Sequence, residues 1–180
     1  MQLIETHAVY FKRAAATFNI DDRCLKAIVF VERTLNYDWK DDALDIPLAY
    51  SGHNSSIGFC QIKMKTAYWI EVNLSDSTSE FYPGNFYHNM LPVSKSPGEI
   101  IEKLQRDSLN IHYAAGYIKI IQNFWKKAGF PIENRADILG TLYSTGLFLP
   151  SGEIRIPNKN PKANLFGKKV KEAYRLFIDL

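Results

Sequence analysis

The chain has 180 residues, of which 46% are hydrophobic and 23% charged, enough to bury one substantial core and too apolar for a disordered segment. Its 22 Lys and Arg against 19 Asp and Glu give a formal charge of only +3. That balance argues against a dedicated polyanion binder, and the basic pairs Lys126-Lys127 and Lys168-Lys169 read as solvated helix faces, so no nucleic-acid partner is expected.

Apolar residues at Leu3, Ile4, Phe11, Ala14, Ala15 and Phe18 recur at helical spacing and predict a first helix over 3–18. Asp21 and Asp22 are N-cap candidates for a second, through Leu25, Ile28, Val29, Glu32 and Leu35, which is apolar nearly all round and belongs at the centre of a domain. Residues 37–56 break the pattern and read as a long loop, and 57–73 predict a third helix behind a glycine. A second irregular stretch, 74–96, holds Phe81, Tyr82, Phe86, Tyr87 and His88. Ser96-Pro97-Gly98-Glu99 is a capping box with proline at the first helical position, so a helix starts at Pro97 and runs, with a break near Ser108, to the stop at Gly129 and Pro131. Shorter helices are expected at about 134–144 and 164–178, with a small β-hairpin over 147–156. The whole reads as one mainly α domain spanning 1–180, without internal repeat or linker.

Cys24 and Cys60 lack metal-ligand spacing; they are either two buried thiols or one bridge. No metal or cofactor is expected. The N-terminus has no basic region followed by an apolar run, and no window approaches a membrane span, so neither a signal peptide nor a transmembrane segment is read.

Glu32 is the residue with chemistry to offer. At ~100° per residue it shares a helix face with Leu25, Ile28, Val29 and Leu35. Apolar surroundings and the negative end of the helix both raise a carboxyl pKa, and a carboxylic acid protonated near neutral pH can protonate a departing oxygen.

Four segments resemble the lytic transglycosylases, enzymes with a lysozyme-like fold. Val29-Phe-Val-Glu32-Arg33-Thr-Leu-Asn36 resembles their catalytic helix end, and Ser56-Ile-Gly58-Phe-Cys-Gln61-Ile62, with the trailing Thr66-Ala67, resembles their Gly-Leu-Met-Gln-Ile segment. Asn110-Ile111-His-Tyr-Ala-Ala-Gly116-Tyr117-Ile118 is similar to their Asn-Ile-x-x-Gly-x-x-Tyr-Leu helix, and Leu142-Tyr143-Ser144-Thr145-Gly146 to their Ala-Tyr-Asn-Ala-Gly. The four follow the family's order. The resemblance implies a lysozyme-like fold and cleavage of the MurNAc-GlcNAc bond of peptidoglycan, with Glu32 as the catalytic acid. It also implies Gln61 and Ser144 as sugar contacts, Tyr143 holding Glu32 or an N-acetyl group, and Gly58 letting the backbone approach the sugar or the Glu. The expected partner is the glycan strand. The expected place of action is the periplasm or cell wall, reached after export or release by way of a secretion system or holin.

The sequence departs from the family at several points. Arg33 replaces the usual Ser and as a neighbouring cation opposes any rise in the Glu32 pKa, while Ser144 replaces the usual Asn. Glu32 and Gly58 lie 26 positions apart and Gln61 and Asn110 lie 49 apart, both long for the family, so 37–56 and 74–96 are insertions. Aromatics of the second insertion are expected to border the cleft. Goose-type lysozymes carry an Asp where this chain has Lys63. A hydrolase needs a second carboxylate, which Asp38, Asp41, Asp42 or Asp45 would have to supply, whereas a lytic transglycosylase needs only one. The lyase reading is therefore preferred. A muramidase using a loop Asp, or a decayed glycan-binding protein consistent with Arg33 and Ser144, are the alternatives.

Overall fold

The computed structural model describes residues 1–35 and 56–177. Among them are eight α-helices and one two-stranded antiparallel hairpin, a mainly α architecture. The aspartates Asp38, Asp41, Asp42 and Asp45 lie outside the described residues.

The N-terminal pattern forms two helices rather than one, α1 (Gln2–Thr6) and α2 (Ala8–Phe18), divided at His7. The His7 ring is engaged at both nitrogens: Nδ1 faces the Leu3 carbonyl and Nε2 faces the Asp107 carboxylate, each at 2.9 Å. α2 ends at Asn19 in the left-handed region, a conformation asparagine tolerates better than most residues. α3 (Asp22–Leu35) begins where Asp21 accepts a hydrogen bond from the Arg23 backbone N–H at 3.0 Å, and it buries Cys24, Leu25, Ala27, Ile28, Val29 and Val31. Cys24 and Cys60 are both buried free thiols.

The segment expected to be helical from 57 begins instead as the hairpin, β1 (Ser56–Ile57) and β2 (Ile62–Lys63), with Ile57 opposite Ile62; α4 (Met64–Ser75) follows. The turn between the strands cannot be helical, because Gly58 and Gln61 both have positive φ, +75° and +53°. The strained turn is held from outside by Asn110, which is fully buried. Its Oδ1 accepts from the Cys60 N–H at 2.6 Å, and its Nδ2 donates to the carbonyls of Ile57 at 2.9 Å and Leu104 at 2.8 Å.

Residues 76–96 are pinned by a buried carboxylate that the helical pattern gave no reason to single out. Glu71 of α4, with no solvent exposure, accepts from the backbone and side chain of Ser94 and from Lys103 and Tyr113. These donors satisfy a charge that would otherwise be costly to bury. Phe81, Tyr82 and Tyr87 are buried in the packing of this stretch, which includes a short 3-10 turn at Asn85–Tyr87, while Phe86 is 71% exposed.

α5 (Pro97–Leu104) starts as expected, with Ser96 Oγ accepting from the Glu99 N–H at 3.3 Å and Glu99 reaching back to the Lys95 N–H at 2.8 Å. The chain breaks at Gln105 and resumes as α6 (Asp107–Lys127), the central helix, against which α2, α4, α5 and α7 pack. α7 (Ala136–Thr145) and α8 (Leu165–Leu176) cross closely, since a Cβ on Gly167 would stand 2.0 Å from the Asp137 carbonyl oxygen. Between them, 147–156 makes a single antiparallel bridge, Phe148 with Ile154, in place of a full hairpin. One contiguous core runs from Ile4 to Phe177. Each fully buried side chain such as Leu25, Ile118 or Leu139 contributes roughly 1.5–3 kcal/mol through removal from water.

Candidate active site

Three separated pieces of chain meet beside the end of α3. Glu32, in its last turn and partly buried, lines a groove of about 620 Å³ together with Gln61 of the hairpin turn and Tyr143 and Ser144 of α7. Four of the five residues singled out in the sequence thus share one cavity.

Gly58 is the exception, because it does not line the groove. A Cβ there would lie 2.2 Å from the Leu104 carbonyl oxygen and 2.4 Å from Asn110 Nδ2. The close approach this glycine permits is to the residue that clamps the turn, not to a sugar or to Glu32. It acts on the groove by fixing Gln61, whose N–H and side-chain Nε2 both donate to the Gly58 carbonyl, at 3.0 and 3.2 Å.

Arg33 also serves the turn. Its Nη1 donates to the Phe59 carbonyl at 2.9 Å and its guanidinium lies over the Phe59 ring, 4.6 Å from the centroid. Arg33 thus reaches from the end of α3 across to the hairpin. His7 lies against the same ring, centroid to centroid 4.3 Å.

The Tyr143 ring borders the groove while its hydroxyl is buried, and that hydroxyl makes no hydrogen bond to Glu32 or to any other described residue. Its pKa is pushed well above the ordinary tyrosine value, first by burial and then by the electrostatic influence of Cys60, Glu32 and Tyr117. Tyr143 therefore keeps its phenolic proton at neutral pH. The ring of Tyr117, from α6, sits 5.7 Å from that of Tyr143 and also lines the groove. Burial pushes the Tyr117 pKa up to about 12, with the Leu147 backbone bond and the Arg155 charge opposing it. Ser144 is exposed; its hydroxyl donates to the Thr141 carbonyl at 3.0 Å and accepts from Asn164 Nδ2 at 3.2 Å. An amide thus stands beside Ser144.

Among the described lining residues, Glu32 is the only carboxylate and Lys63 the only cation. The groove continues into a smaller cavity of about 260 Å³, which shares Thr66, Tyr117, Thr145 and Gly146 with it and is walled by Trp69 and Phe148. The expectation that aromatics of 74–96 border the cleft is not met: Phe81 lies behind this wall, 5.0 Å from the Trp69 ring and 5.7 Å from Phe148, and neither Tyr82, Phe86 nor Tyr87 lines either cavity. The aromatic surface came from α4 and the 147–156 bridge, where single aromatics in apolar runs carried no distinguishing signal.

Among the described residues no group of three or more His, Cys, Asp or Glu is placed to hold a metal ion, and no helix is long and apolar enough to cross a membrane. No family model matches the chain, and no curated protein or solved structure is significantly similar to it.

Proposed function

We propose that this chain is a peptidoglycan lytic transglycosylase of lysozyme-like type that uses Glu32 as its single acid and base. The observation that carries the reading is the convergence of Glu32, Gln61, Tyr143 and Ser144, from three distant motifs, on one groove. A chance scatter of motif-like residues has no reason to share a cavity.

In the proposed reaction Glu32 donates its proton to the oxygen leaving C1 of the muramyl sugar as the glycosidic bond breaks. The carboxylate so formed then takes the proton of that sugar's C6 hydroxyl, whose oxygen bonds to C1 and closes a 1,6-anhydro ring. No water is consumed and no second carboxylate is needed, which fits a groove whose described lining holds one acid. Gln61 presents both donor and acceptor to hydroxyl or N-acetyl groups. Its left-handed backbone is fixed by Gly58 and Asn110, so its side chain enters the groove at little further entropic cost. The substrate places the site of action in the cell wall or periplasm, reached after export or release.

The test is Glu32→Gln, which nearly preserves shape while removing the transferable proton. Cleavage of purified peptidoglycan should fall by about 10²–10⁴-fold, the usual contribution of a general acid–base group, with Tm unchanged. Mass spectrometry of digests by the unmodified protein should find anhydro-muramyl ends, lighter by one water than reducing ends. Reducing ends alone mean a hydrolase and direct attention to Asp38, Asp41, Asp42 and Asp45. Binding without cleavage means a decayed enzyme.

A further inference from the structure

We propose that the outer face of α8 docks the protein on an anionic lipid surface. Residues 155–175 hold seven of the chain's 22 basic residues and a single acid, a net +6 against +3 for the whole, so the remaining residues sum to −3. Positive charge is thus gathered at one end of the sequence. Elsewhere Arg23, Lys26, Lys103, Lys126 and Arg135 each pair with a carboxylate, whereas none of these seven cations is in an ion pair among the described residues.

The helix period sorts this segment into two faces. Gly167, Val170 and Ala173 are buried where α8 packs on α3 and α7. On the opposite side Leu165 and Leu176 are 69% and 53% exposed, and at ~100° per residue they fall within about 20° of each other, three turns apart. Lys168, Lys171 and Arg175 are exposed along one flank of that line, and the half-buried Lys169 borders the other. Glu172, the single acid, lies between the leucines and the basic flank. Helix stability gives no reason for this arrangement: Lys168 and Lys169 stand near the N-terminal end, where the macrodipole favours acids, and the first turn has none.

The combination selects the partner. A nucleic acid or other soluble polyanion would be held by the cations alone and would leave both leucines in water. Bidentate phosphate recognition also favours arginine, yet three of the four cations on this face are lysines, which act as point charges. A bilayer with acidic headgroups offers both phases at once, negative charge for the ammonium groups and hydrocarbon just beneath it for Leu165 and Leu176. The contact is one of lying on the surface, since no described helix is long and apolar enough to cross a membrane. It is independent of the glycosidase reading, because it concerns where the protein sits and not what it cleaves.

The test is co-sedimentation of the full chain with vesicles of phosphatidylcholine alone or of equal parts phosphatidylcholine and phosphatidylglycerol. The chain should sediment with the mixed vesicles, remain in solution with the neutral ones, and be released progressively as salt is raised. Neutralising Lys168→Gln, Lys171→Gln and Arg175→Gln should weaken binding by roughly fivefold per cation, about a hundredfold together. The same number of charges removed from exposed positions elsewhere, Lys12→Gln, Arg13→Gln and Lys126→Gln, should have far less effect. Leu165→Ser with Leu176→Ser should weaken binding by roughly tenfold while leaving Tm level, as both side chains are exposed. Absence of sedimentation with the mixed vesicles, or equal sedimentation with the neutral ones, overturns the proposal on the unmodified protein alone. An equal loss from the two sets of neutralised cations means net charge rather than this face, and unchanged binding of the serine variant means a purely ionic contact; either overturns it too.

Discussion

Substituting Gly58 by alanine tests the link between the turn and the groove most sharply. The new methyl would lie 2.2 Å from the Leu104 carbonyl oxygen and 2.4 Å from Asn110 Nδ2, well inside van der Waals contact, at a residue with φ +75°. The left-handed backbone costs an L-residue about 1–2 kcal/mol, and overpacking of a tight site adds about 1–3 kcal/mol. Displacing Asn110 also weakens its three hydrogen bonds to backbone groups, each worth about 0.5–1.5 kcal/mol. The expected loss is about 3–5 kcal/mol. At roughly 2–4 °C per kcal/mol for a chain of this size, Tm falls by about 6–20 °C in calorimetry or thermal-shift assay. Because the clash and the lost bonds involve the same side chain, Gly58→Ala combined with Asn110→Ala should cost less than the sum of the two. A Gly58→Ala loss below about 1 kcal/mol, or strict additivity in the double variant, refutes the clamp.

Tyr143→Phe removes a buried hydroxyl that no described residue satisfies, so stability should stay level or rise by about 1 kcal/mol. Cleavage should nonetheless drop about tenfold or more if the hydroxyl stabilises the reacting groups, and unchanged cleavage removes it from the mechanism. Glu71→Gln should cost about 2–4 kcal/mol in urea denaturation, because Lys103, Tyr113 and Ser94 lose a buried anion they all donate to, and a loss under 1 kcal/mol contradicts that role. The Asp21 carboxyl is held below its ordinary value: burial pushes it up, but hydrogen bonds from Tyr174 and Arg23 outweigh burial. Its stabilising contribution is therefore present above about pH 4 and lost as pH falls through the lowered value, and Asp21→Asn should flatten the acid limb of a stability-versus-pH curve. Tyr174, raised to about 12 by burial and then by Asp21, works at the other end. Its contribution is present below its ordinary value near 10 and lost as pH rises through 12, an alkaline limb that Tyr174→Phe should abolish.

What the sequence disclosed follows the range of the forces involved. Helix starts set by local chemistry, such as Ser96-Pro97 and Asp21-Asp22, were readable within a residue, because caps and propensities act over one turn. The groove residues Glu32, Gln61, Tyr143 and Ser144 were readable from motif order. The hairpin at 56–63 was not, since its turn depends on a side chain fifty positions later, and neither apolar spacing nor the glycine reveals that partner. Glu71 escaped for the same reason: a Glu inside Tyr-Trp-Ile-Glu-Val reads as one polar position on a helix until Ser94, Lys103 and Tyr113 close around it. The aromatics of 74–96 were assigned to the cleft, yet packing against the core hides three of the four, and the exposed one, Phe86, lies outside the cavities.

The bond from the Cys60 N–H to Asn110 makes the groove wall a reporter of partial opening. One side chain of α6 satisfies backbone groups on both the hairpin and the end of α5, so any excursion that lifts the α5–α6 corner exposes the Cys60 amide to solvent at once. Its hydrogen-exchange rate therefore counts the molecules whose groove wall is momentarily undone. Under the proposed function, glycan cleavage should decay on warming in step with that single amide, ahead of the helix content that circular dichroism records.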